Sequence, residues 1–156
     1  MSEGDEYLLG MEPQEVERLR RQREAWETHT RRVWSLMQLA RGETVVDLGC
    51  GPGFATQDLL QLVGETGKVI GVDASPTAIA TLRRRLQPTN PRLETVTADV
   101  TDVCIGAWMP DAVFARWLLC FLADPADLIR RLSRHLRPGA RVGVMDYGNY
   151  LDVRLE

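Results

Sequence analysis

Three glycines at alternate positions follow a short apolar run that ends near an aspartate, and this stretch carries the clearest chemistry in the sequence. It reads VVDLGCGPGFAT from Val45 to Thr56, with Gly49, Gly51 and Gly53 at alternate positions. Glycines between a strand and a helix let the chain turn sharply and let a ligand approach the main chain, while the helix offers unpaired N–H groups to an anion. The stretch therefore predicts a nucleotide-like ligand.

The position of the third glycine and the charge of Asp47 narrow the choice of nucleotide. A dinucleotide fingerprint requires its third glycine at position 54, where this chain has Phe54 and carries Gly53 one residue earlier. Asp47 would repel a phosphate and would suit a cationic group, although it could also only orient the loop by accepting hydrogen bonds from its N–H groups. Cys50 fits a small filler between two glycines better than a redox group or nucleophile. An NAD-dependent oxidoreductase therefore stays a remote alternative.

A second aspartate ends the next predicted strand, in Gly71-Val72-Asp73, and Ala74 follows it. A carboxylate at this place can accept two hydrogen bonds from ribose hydroxyls. Asp73 could instead cap the following helix, but Ser75 before Pro76 is the better cap candidate, which would leave the Asp73 carboxylate free.

Asp99 and Val100 follow the third predicted strand. Asp99 could accept a hydrogen bond from an adenine amino group while Val100 packs against the ring, or it could cap the short segment that comes next. With the glycine loop and Asp73, these residues describe an adenosine with a charged amino-acid tail. The tail's carboxylate would meet the loop N–H groups, and its ammonium or sulfonium would lie near Asp47.

The elements that must position these residues alternate between short β-branched runs and helical stretches, a pattern typical of a parallel sheet with crossover helices. Apolar residues at three- and four-residue steps predict one long amphipathic helix over residues 12 to 40 before the sheet begins. The arginines at positions 83 to 85 are expected on the solvated face of a helix. Strands are expected near residues 44–48, 68–73, 93–97, 111–115 and 140–146, and helices near 54–63, 76–87 and 125–137.

Composition limits the partners and the compartment. The chain has 156 residues, and its 19 Lys and Arg against 22 Asp and Glu give a formal charge of −3, so nucleic acid is not expected as a partner. Three widely spaced cysteines predict reduced thiols without a metal site. The acidic start, MSEGDEYLLG, does not resemble a secretory signal, and the longest apolar run is too short to span a bilayer. We therefore expect a cytoplasmic protein with no membrane partner.

Five segments in order resemble the class I S-adenosylmethionine-dependent methyltransferases, specifically the small-molecule type similar to ubiquinone and menaquinone methyltransferases. They read VVDLGCGPG, VIGVDASPTAI, VTADVTD, PDAVFARWLLCFLADP and LRPGARVGVMDY. The resemblance implies S-adenosylmethionine as cofactor and a Rossmann-like α/β fold, with helices on both faces of the sheet. It divides the chain into an N-terminal helical segment or lid, residues 1–42, and a cofactor-binding domain, residues 43–156. The candidate cofactor-binding residues are Asp47, Gly49, Cys50, Gly51, Gly53, Asp73, Ala74, Asp99, Val100 and Arg116.

The implied reaction is attack of an acceptor oxygen, carbon or nitrogen on the sulfonium methyl group, with much of the catalysis coming from positioning. Families that methylate base amines carry Asn or Asp, two prolines and an aromatic residue where the fourth strand ends. This chain has Ala115-Arg116-Trp117-Leu118 there, which favours a small, partly apolar acceptor. Arg116 either reaches the cofactor or pairs with a surface acid. His29 fits packing better than base catalysis, so no catalytic residue is assigned.

Members of the resembled family normally continue after the fifth strand with a helix and an antiparallel strand pair. This chain ends at Glu156, ten residues after Asp146, so we expect it to lack those C-terminal strands. A fragment of a longer enzyme and a natural short form both fit. The short form would have to protect its exposed sheet edge by pairing, which leaves a homodimer open. A cofactor-binding module without turnover is therefore the main alternative to an active enzyme.

Overall fold

A five-stranded parallel sheet forms the centre of the computed structural model, which describes residues 12–147. Its strand order is β3-β2-β1-β4-β5, and each strand end lies within one residue of its prediction. The predicted α/β class with a parallel sheet and helices on both faces is confirmed. The strands are β1 Thr44–Leu48, β2 Lys68–Asp73, β3 Leu93–Thr97, β4 Ala112–Arg116 and β5 Arg141–Met145.

The crossover helices begin at local signals in the sequence. Ser75 Oγ accepts a hydrogen bond from the Ala78 N–H at 3.2 Å, and Asp124 Oδ1 accepts one from the Asp127 N–H at 3.0 Å. A proline follows each of these two caps. Proline is favourable at this position because an N–H in the first turn would have no hydrogen-bond partner within the helix. The helices between strands are α3 Phe54–Val63, α4 Pro76–Leu86 and α5 Pro125–His135, and 3₁₀ turns span Gln87–Thr89, Ile105–Trp108 and Leu119–Phe121.

The N-terminal helix is divided in two, which differs from the single helix that the sequence predicts. Helix α1 spans Pro13–Ala25, α2 spans Glu27–Leu36, and Trp26 between them has φ −103° and ψ 5°. The Trp26 N–H still bonds to the Gln22 carbonyl at 3.1 Å, so the chain bends without leaving this N–H unpaired. Because α1 packs on α3 while α2 packs on β5, one straight helix could not follow both surfaces.

Two apolar cores cover the two faces of the sheet, because successive strand residues point to opposite sides. One core lies under α2, α3 and α4, where the rings of Trp34 and Phe114 meet edge to face with centroids 5.4 Å apart. The other lies under α5 and the segment after β3, and includes Leu128 and Ile105. The carboxyl ends of the strands, where ligands of open α/β sheets bind, lie between these layers.

Within the described part of the chain, no helix has the length and apolar character needed to cross a membrane.

Candidate functional site

The loop between β1 and α3 carries the three glycines, and each has a positive φ: 66° at Gly49, 54° at Gly51 and 84° at Gly53. A Cβ on Gly49 would lie 3.0 Å from Leu118 Cδ1, and one on Gly53 would lie 2.7 Å from Leu82 Cγ. A Cβ on Gly51 would meet no heavy atom within 4 Å. Gly49 and Gly53 therefore serve close packing, whereas Gly51 borders open space.

Asp73, at the end of β2, holds this loop directly. Its Oδ2 accepts a hydrogen bond from the Gly51 N–H at 2.8 Å, and its Oδ1 accepts one from the Ser75 N–H at 2.8 Å. The prediction that the carboxylate is free is therefore wrong, although the choice of Ser75 as helix cap is correct. Burial raises the pKa of Asp73, while the two N–H groups oppose that rise. Each carboxylate oxygen has a second lone pair, so Asp73 can still accept from a ligand.

Asp47 lies buried at the end of β1 and bonds to α3. Thr56 Oγ1 donates a hydrogen bond to Asp47 Oδ2 at 2.6 Å, and the residue is only 2% exposed. Burial raises the pKa of Asp47 to about 6, with the charge of Asp73 adding to the effect and the Thr56 hydroxyl and the Arg116 charge opposing it. A cationic group placed beside Asp47 would favour its ionised form.

Cys50 and Ala74 have structural surroundings that differ sharply. Cys50 is 6% exposed and belongs to the core, and a Cβ on Gly71 would lie 3.1 Å from its Sγ. Burial raises the pKa of the Cys50 thiol well above its ordinary value, so the thiol stays protonated and fits the predicted role of a small filler. Ala74 is exposed beside the buried Asp73.

Asp99 and Val100 lie next to Asp73 because β3 neighbours β2, and the Ala98 N–H donates to the Asp73 carbonyl at 3.0 Å. Asp99 Oδ1 accepts hydrogen bonds from the Thr101 N–H at 2.8 Å and the Thr101 hydroxyl at 2.7 Å, which lower its pKa. This is the capping arrangement that the sequence left as an alternative. Val100 is 4% exposed and packs into the core beneath α5. A role for the pair in adenine binding stays a prediction.

Within residues 12–147, Arg116 at the end of β4 forms no surface ion pair of the kind that the sequence left open. It is partly buried, and its Nη1 donates to Thr30 Oγ1 of α2 at 3.1 Å. Its guanidinium lies 4.5 Å from the centre of the Trp117 ring. Burial lowers the pKa of Arg116, while the charges of Asp47 and Asp58 raise it. Arg116 therefore joins the N-terminal helices to the sheet end beside Asp47.

Arg85 is a site residue that the sequence analysis missed. Its guanidinium lies 4.1 Å from the centre of the Phe54 ring, and it donates hydrogen bonds to the Pro52 carbonyl and, at 3.1 Å, to Gln57 Oε1. The expectation that all three arginines of its run face solvent is wrong for Arg85, which is partly buried against the loop. This burial lowers the pKa of Arg85. One signal was available: Arg85 is three residues after Leu82, which puts it on the helix face that packs on the loop.

A second missed feature is the ion pair between Arg23 of α1 and Asp58 of α3. Arg23 Nε donates to Asp58 Oδ2 at 2.9 Å, and a second guanidinium nitrogen donates to Oδ1 at 2.5 Å. The Asp58 side chain is 7% exposed and the Arg23 side chain 24%. This pair fastens α1 over the helix that follows the glycine loop.

The first turn of α3 can hold an anion. Gly53 precedes this helix and contributes no side-chain cap, and the first turn contains no acidic residue. Its N–H groups therefore face the loop with a partial positive charge. The site thus combines the N-terminus of α3, free space next to the Cα of the buried Gly51 and two buried carboxylates, Asp47 and Asp73. Among residues 12–147, no cluster of three or more His, Cys, Asp or Glu side chains could hold a metal ion.

Comparison with known proteins gives consistent matches. Residues 45–139 match the protein family described as methyltransferase domain. The chain is 38% identical over 111 residues to trans-aconitate 2-methyltransferase of Azoarcus sp. strain BH72, an alignment covering 69% of this chain and 40% of that protein. It is 30% identical over 131 residues to 2-phytyl-1,4-naphtoquinone methyltransferase of Thermosynechococcus vestitus, covering 80% and 57% respectively.

Solved structures share the fold. A SAM-dependent methyltransferase from Aquifex aeolicus superposes with a TM-score of 0.68 at 24% identity, covering 76% of this chain and 63% of that one. Coclaurine N-methyltransferase, solved with N-methylheliamine and SAH, gives a TM-score of 0.69 at 21% identity, covering 78% and 35%. The chain spans about half or less of the length of several curated relatives that it matches.

Proposed function

The chain belongs to the methyltransferase domain family, as its motifs predicted, and on this basis we propose that it binds S-adenosylmethionine at the glycine loop for methyl transfer to a small acceptor. One observation carries the proposal. The Gly51 N–H is held by Asp73 at 2.8 Å, while a Cβ on Gly51 would point into open space. A ligand that enters this space meets bare backbone and a carboxylate at once.

Each part of the cofactor has a proposed place. Asp73 accepts from the ribose hydroxyls with its remaining lone pairs, and the α3 N-terminus holds the carboxylate of the amino-acid tail. Asp47 favours the cationic end of the ligand, because a nearby cation offsets the cost of ionising a buried carboxyl group. The remaining proposed cofactor residues are Gly49, Cys50, Gly53, Ala74, Asp99, Val100 and Arg116.

When bound, S-adenosylmethionine supplies a methyl group that its sulfonium already activates. In the transfer, the acceptor would take the methyl group and lose its own proton to water, and S-adenosylhomocysteine would leave with the electron pair of the carbon–sulfur bond. The residues of this chain bind and orient the cofactor, and the described part of the N-terminal segment, residues 12–42, serves as a lid over the described part of the cofactor-binding domain, residues 43–147. The Arg23–Asp58 pair supports this role, since it joins α1 to α3.

We propose a small, partly apolar acceptor and a cytoplasmic location. The two curated relatives are named for trans-aconitate and for a phytyl naphthoquinone, which are both small molecules. Cys104 is exposed and forms no disulfide, which fits a reducing compartment.

Calorimetry and a turnover assay test the proposal. S-adenosylhomocysteine should bind the full chain with a stoichiometry of one, and NAD should not bind. If NAD binds and S-adenosylhomocysteine does not, the result would favour the oxidoreductase alternative over methyl transfer. Methyl transfer to a panel of phenols, quinols and carboxylic acids separates an enzyme from the binding module, because the module would bind the cofactor and modify nothing in the panel.

We further propose that two copies of the chain pair along β5, which is an edge strand of the described sheet. The Arg141 N–H bonds to the carbonyl of Asp111, the residue before β4, so the main-chain groups of Val142 and Val144 point away from β4. Their side chains are 42% and 38% exposed. Sedimentation velocity should show a dimer that Val144→Lys converts to a monomer, and a monomeric parent chain would refute the pairing.

A further inference from the structure

A cavity of about 240 Å³ lies between α5 and the segment that joins β3 to β4, on the face of the sheet opposite α2, α3 and α4. We call it the α5 cavity. One wall is formed by the chain between Val100 and Gly106. The α5 wall carries an apolar row beside a polar row, each at four-residue steps that place helical side chains on one face: Leu128, Leu132 and Leu136 beside Arg131 and His135.

The two walls of the α5 cavity touch at one end and stay apart along the rest. A Cβ on Gly106 would collide with the His135 carbonyl oxygen, so only glycine allows this close approach. The chain between β3 and β4 then forms the short 3₁₀ turn Ile105–Trp108, which is too short to cover the whole length of α5. The space left beside the helix is the cavity.

The α5 cavity has an apolar floor and a polar rim. Ile105, Leu128 and Leu132 are at most 5% exposed and belong to the core beneath α5. Cys104 and His135 are exposed and lie at the rim. The volume is below the roughly 300–1,000 Å³ of pockets that hold drug-sized ligands. A short molecule with an apolar chain and one polar head group matches this shape.

Arg131 supplies the positive charge for such a head group. It is partly buried, and its Nη2 donates to the Val103 carbonyl at 3.4 Å, which is long for an N–H···O bond. The ion pairs found among residues 12–147 include its neighbour Arg130 but not Arg131. Since a guanidinium carries five N–H donors, an anion in the cavity can accept charge-assisted hydrogen bonds from Arg131.

Two acids limit the negative charge that the cavity can accept. Asp102 lies exposed in the cavity wall. Asp99 is close enough for the Arg131 charge to contribute to its lowered pKa, although its Oδ1 accepts from Thr101. Both carboxylates would repel a dianion more strongly than a monoanion. A carboxylate head group is therefore favoured over a phosphate ester.

We propose that the α5 cavity is a binding site for a short-chain monocarboxylate. Its alkyl chain lies along the apolar row of α5, and its carboxylate accepts hydrogen bonds from Arg131. The site is separate from the glycine loop, since Val100 is the only lining residue that we also assign to the cofactor. The inference does not depend on the proposed methyl transfer.

Probes that share one chain and differ in the head group test the ligand class on the full chain. Calorimetry or ligand-observed NMR should show hexanoate binding about 10-fold more tightly than hexan-1-ol, because its hydrogen bonds to Arg131 are charge-assisted. Propanoate, which lacks three methylene groups, should bind at least about 10-fold more weakly than hexanoate. Equal affinities within either pair, or tighter binding of hexylamine or hexyl phosphate than of hexanoate, would overturn the inference.

The two exposed cysteines locate the bound probe. Cys104 lines the α5 cavity, whereas Cys120 lies outside it. Hexanoate at saturation should slow the alkylation of Cys104 by iodoacetamide several-fold and leave the rate at Cys120 unchanged, as followed by peptide mass spectrometry. An unchanged rate at Cys104 would place hexanoate elsewhere and refute the site without any substitution in the chain.

Variants of α5 test the role of the cation. Arg131→Gln should weaken hexanoate binding about 10-fold and leave hexan-1-ol binding unchanged. Arg134→Gln is the matched control, because Arg134 is exposed on the same helix and does not line the cavity, and it should bind like the parent chain. Melting temperatures confirm that both variants fold. Equal hexanoate affinities in Arg131→Gln and the parent chain would remove Arg131 from the site.

S-adenosylhomocysteine distinguishes this site from the glycine loop. At saturation it should leave hexanoate bound and Cys104 protected. Displacement of hexanoate would place the carboxylate in the cofactor site and refute a separate one. If S-adenosylhomocysteine itself does not bind, the proposed methyl transfer fails, while the hexanoate measurements still decide the α5 cavity.

Discussion

The side chain of Asp73 accepts a hydrogen bond from the main-chain N–H of Gly51 at 2.8 Å, which joins the end of β2 to the middle of the glycine loop. The same carboxylate accepts from the Ser75 N–H at the start of α4. One side chain thus organises both loops at the carboxyl ends of β1 and β2. A ligand that bonds to Asp73 would find the loop already in position, which reduces the entropy lost on binding.

Replacing Asp73 should affect binding and stability together. Asp73→Ala removes the proposed ribose contacts, and we expect S-adenosylhomocysteine affinity to fall about 10- to 100-fold, equivalent to roughly 1.5–3 kcal/mol. It also removes the acceptor of two main-chain N–H groups, so the free energy of unfolding should fall by about 1–3 kcal/mol or more. Calorimetry and urea unfolding measure the two effects, with Asp73→Asn as the milder variant. Unchanged affinity in a folded variant would remove Asp73 from the site.

Gly51 and Gly53 should respond differently to substitution. Gly51→Val meets no protein atom at its Cβ, so we expect a loss of stability of about 1–2 kcal/mol from the left-handed backbone, together with loss of ligand binding. Gly53→Ala would place its Cβ 2.7 Å from Leu82 and should destabilise the fold further. Melting temperatures with and without S-adenosylhomocysteine separate these effects. A normal ligand-induced shift in Gly51→Val would show that the open space is not the binding site.

Asp47 should make stability depend on pH. Its folded pKa of about 6 exceeds the ordinary value of 3.8. Between these pH values the unfolded chain has lost a proton that the folded chain retains, so the Asp47 contribution to stability falls as pH rises. Asp47→Asn lacks this titration. The free energy of unfolding of Asp47→Asn minus that of the parent chain should therefore increase by up to about 3 kcal/mol between pH 4 and pH 7.

Urea unfolding of both proteins at several pH values measures this difference, and parallel pH profiles would contradict a raised Asp47 pKa. S-adenosylhomocysteine provides a second measurement, because its ammonium group is proposed to lie near Asp47. Its affinity should increase as pH rises through about 6 in the parent chain and should change less in Asp47→Asn.

The Arg23–Asp58 pair should contribute strongly to the attachment of α1. Arg23→Gln leaves a largely buried carboxylate without its cation, so we expect a loss of about 2–4 kcal/mol in the free energy of unfolding. Arg21→Gln is the matched control, because its partner Glu17 is exposed on the same helix, and it should cost less than about 0.5 kcal/mol.

A double-variant cycle with Asp58→Asn isolates the pair. Once Asp58 is neutral, Arg23→Gln should cost much less, and the difference is the coupling energy between the two side chains. Additive losses in the cycle would show that Arg23 acts through packing of its stem and not through the ion pair.

Much of the fold could be predicted from the sequence because its signals are local. Alternating β-branched runs located every strand to within one residue, and Ser75 before Pro76 marked the start of α4, since each pattern involves neighbours within a few positions. The glycine loop was recognisable for the same reason. The type of ligand was predicted from this loop together with Asp47, Asp73 and Asp99, which lie at or just after the ends of predicted strands.

The contacts of the site could not be predicted in this way. Arg85 on the loop, the Arg23–Asp58 pair, the two N–H groups on Asp73 and the bend at Trp26 all depend on which elements become neighbours. The strand order β3-β2-β1-β4-β5 decides that, by bringing together segments up to 125 residues apart, as with Gln22, whose Nε2 donates to the Tyr147 hydroxyl at 3.1 Å. The spacing of apolar residues indicates which face of a helix or strand is apolar, but it does not indicate which other element packs against that face. The sequence by itself determined the strands, the crossover helices and the glycine loop between β1 and α3, and the tertiary structure alone decided how their side chains meet.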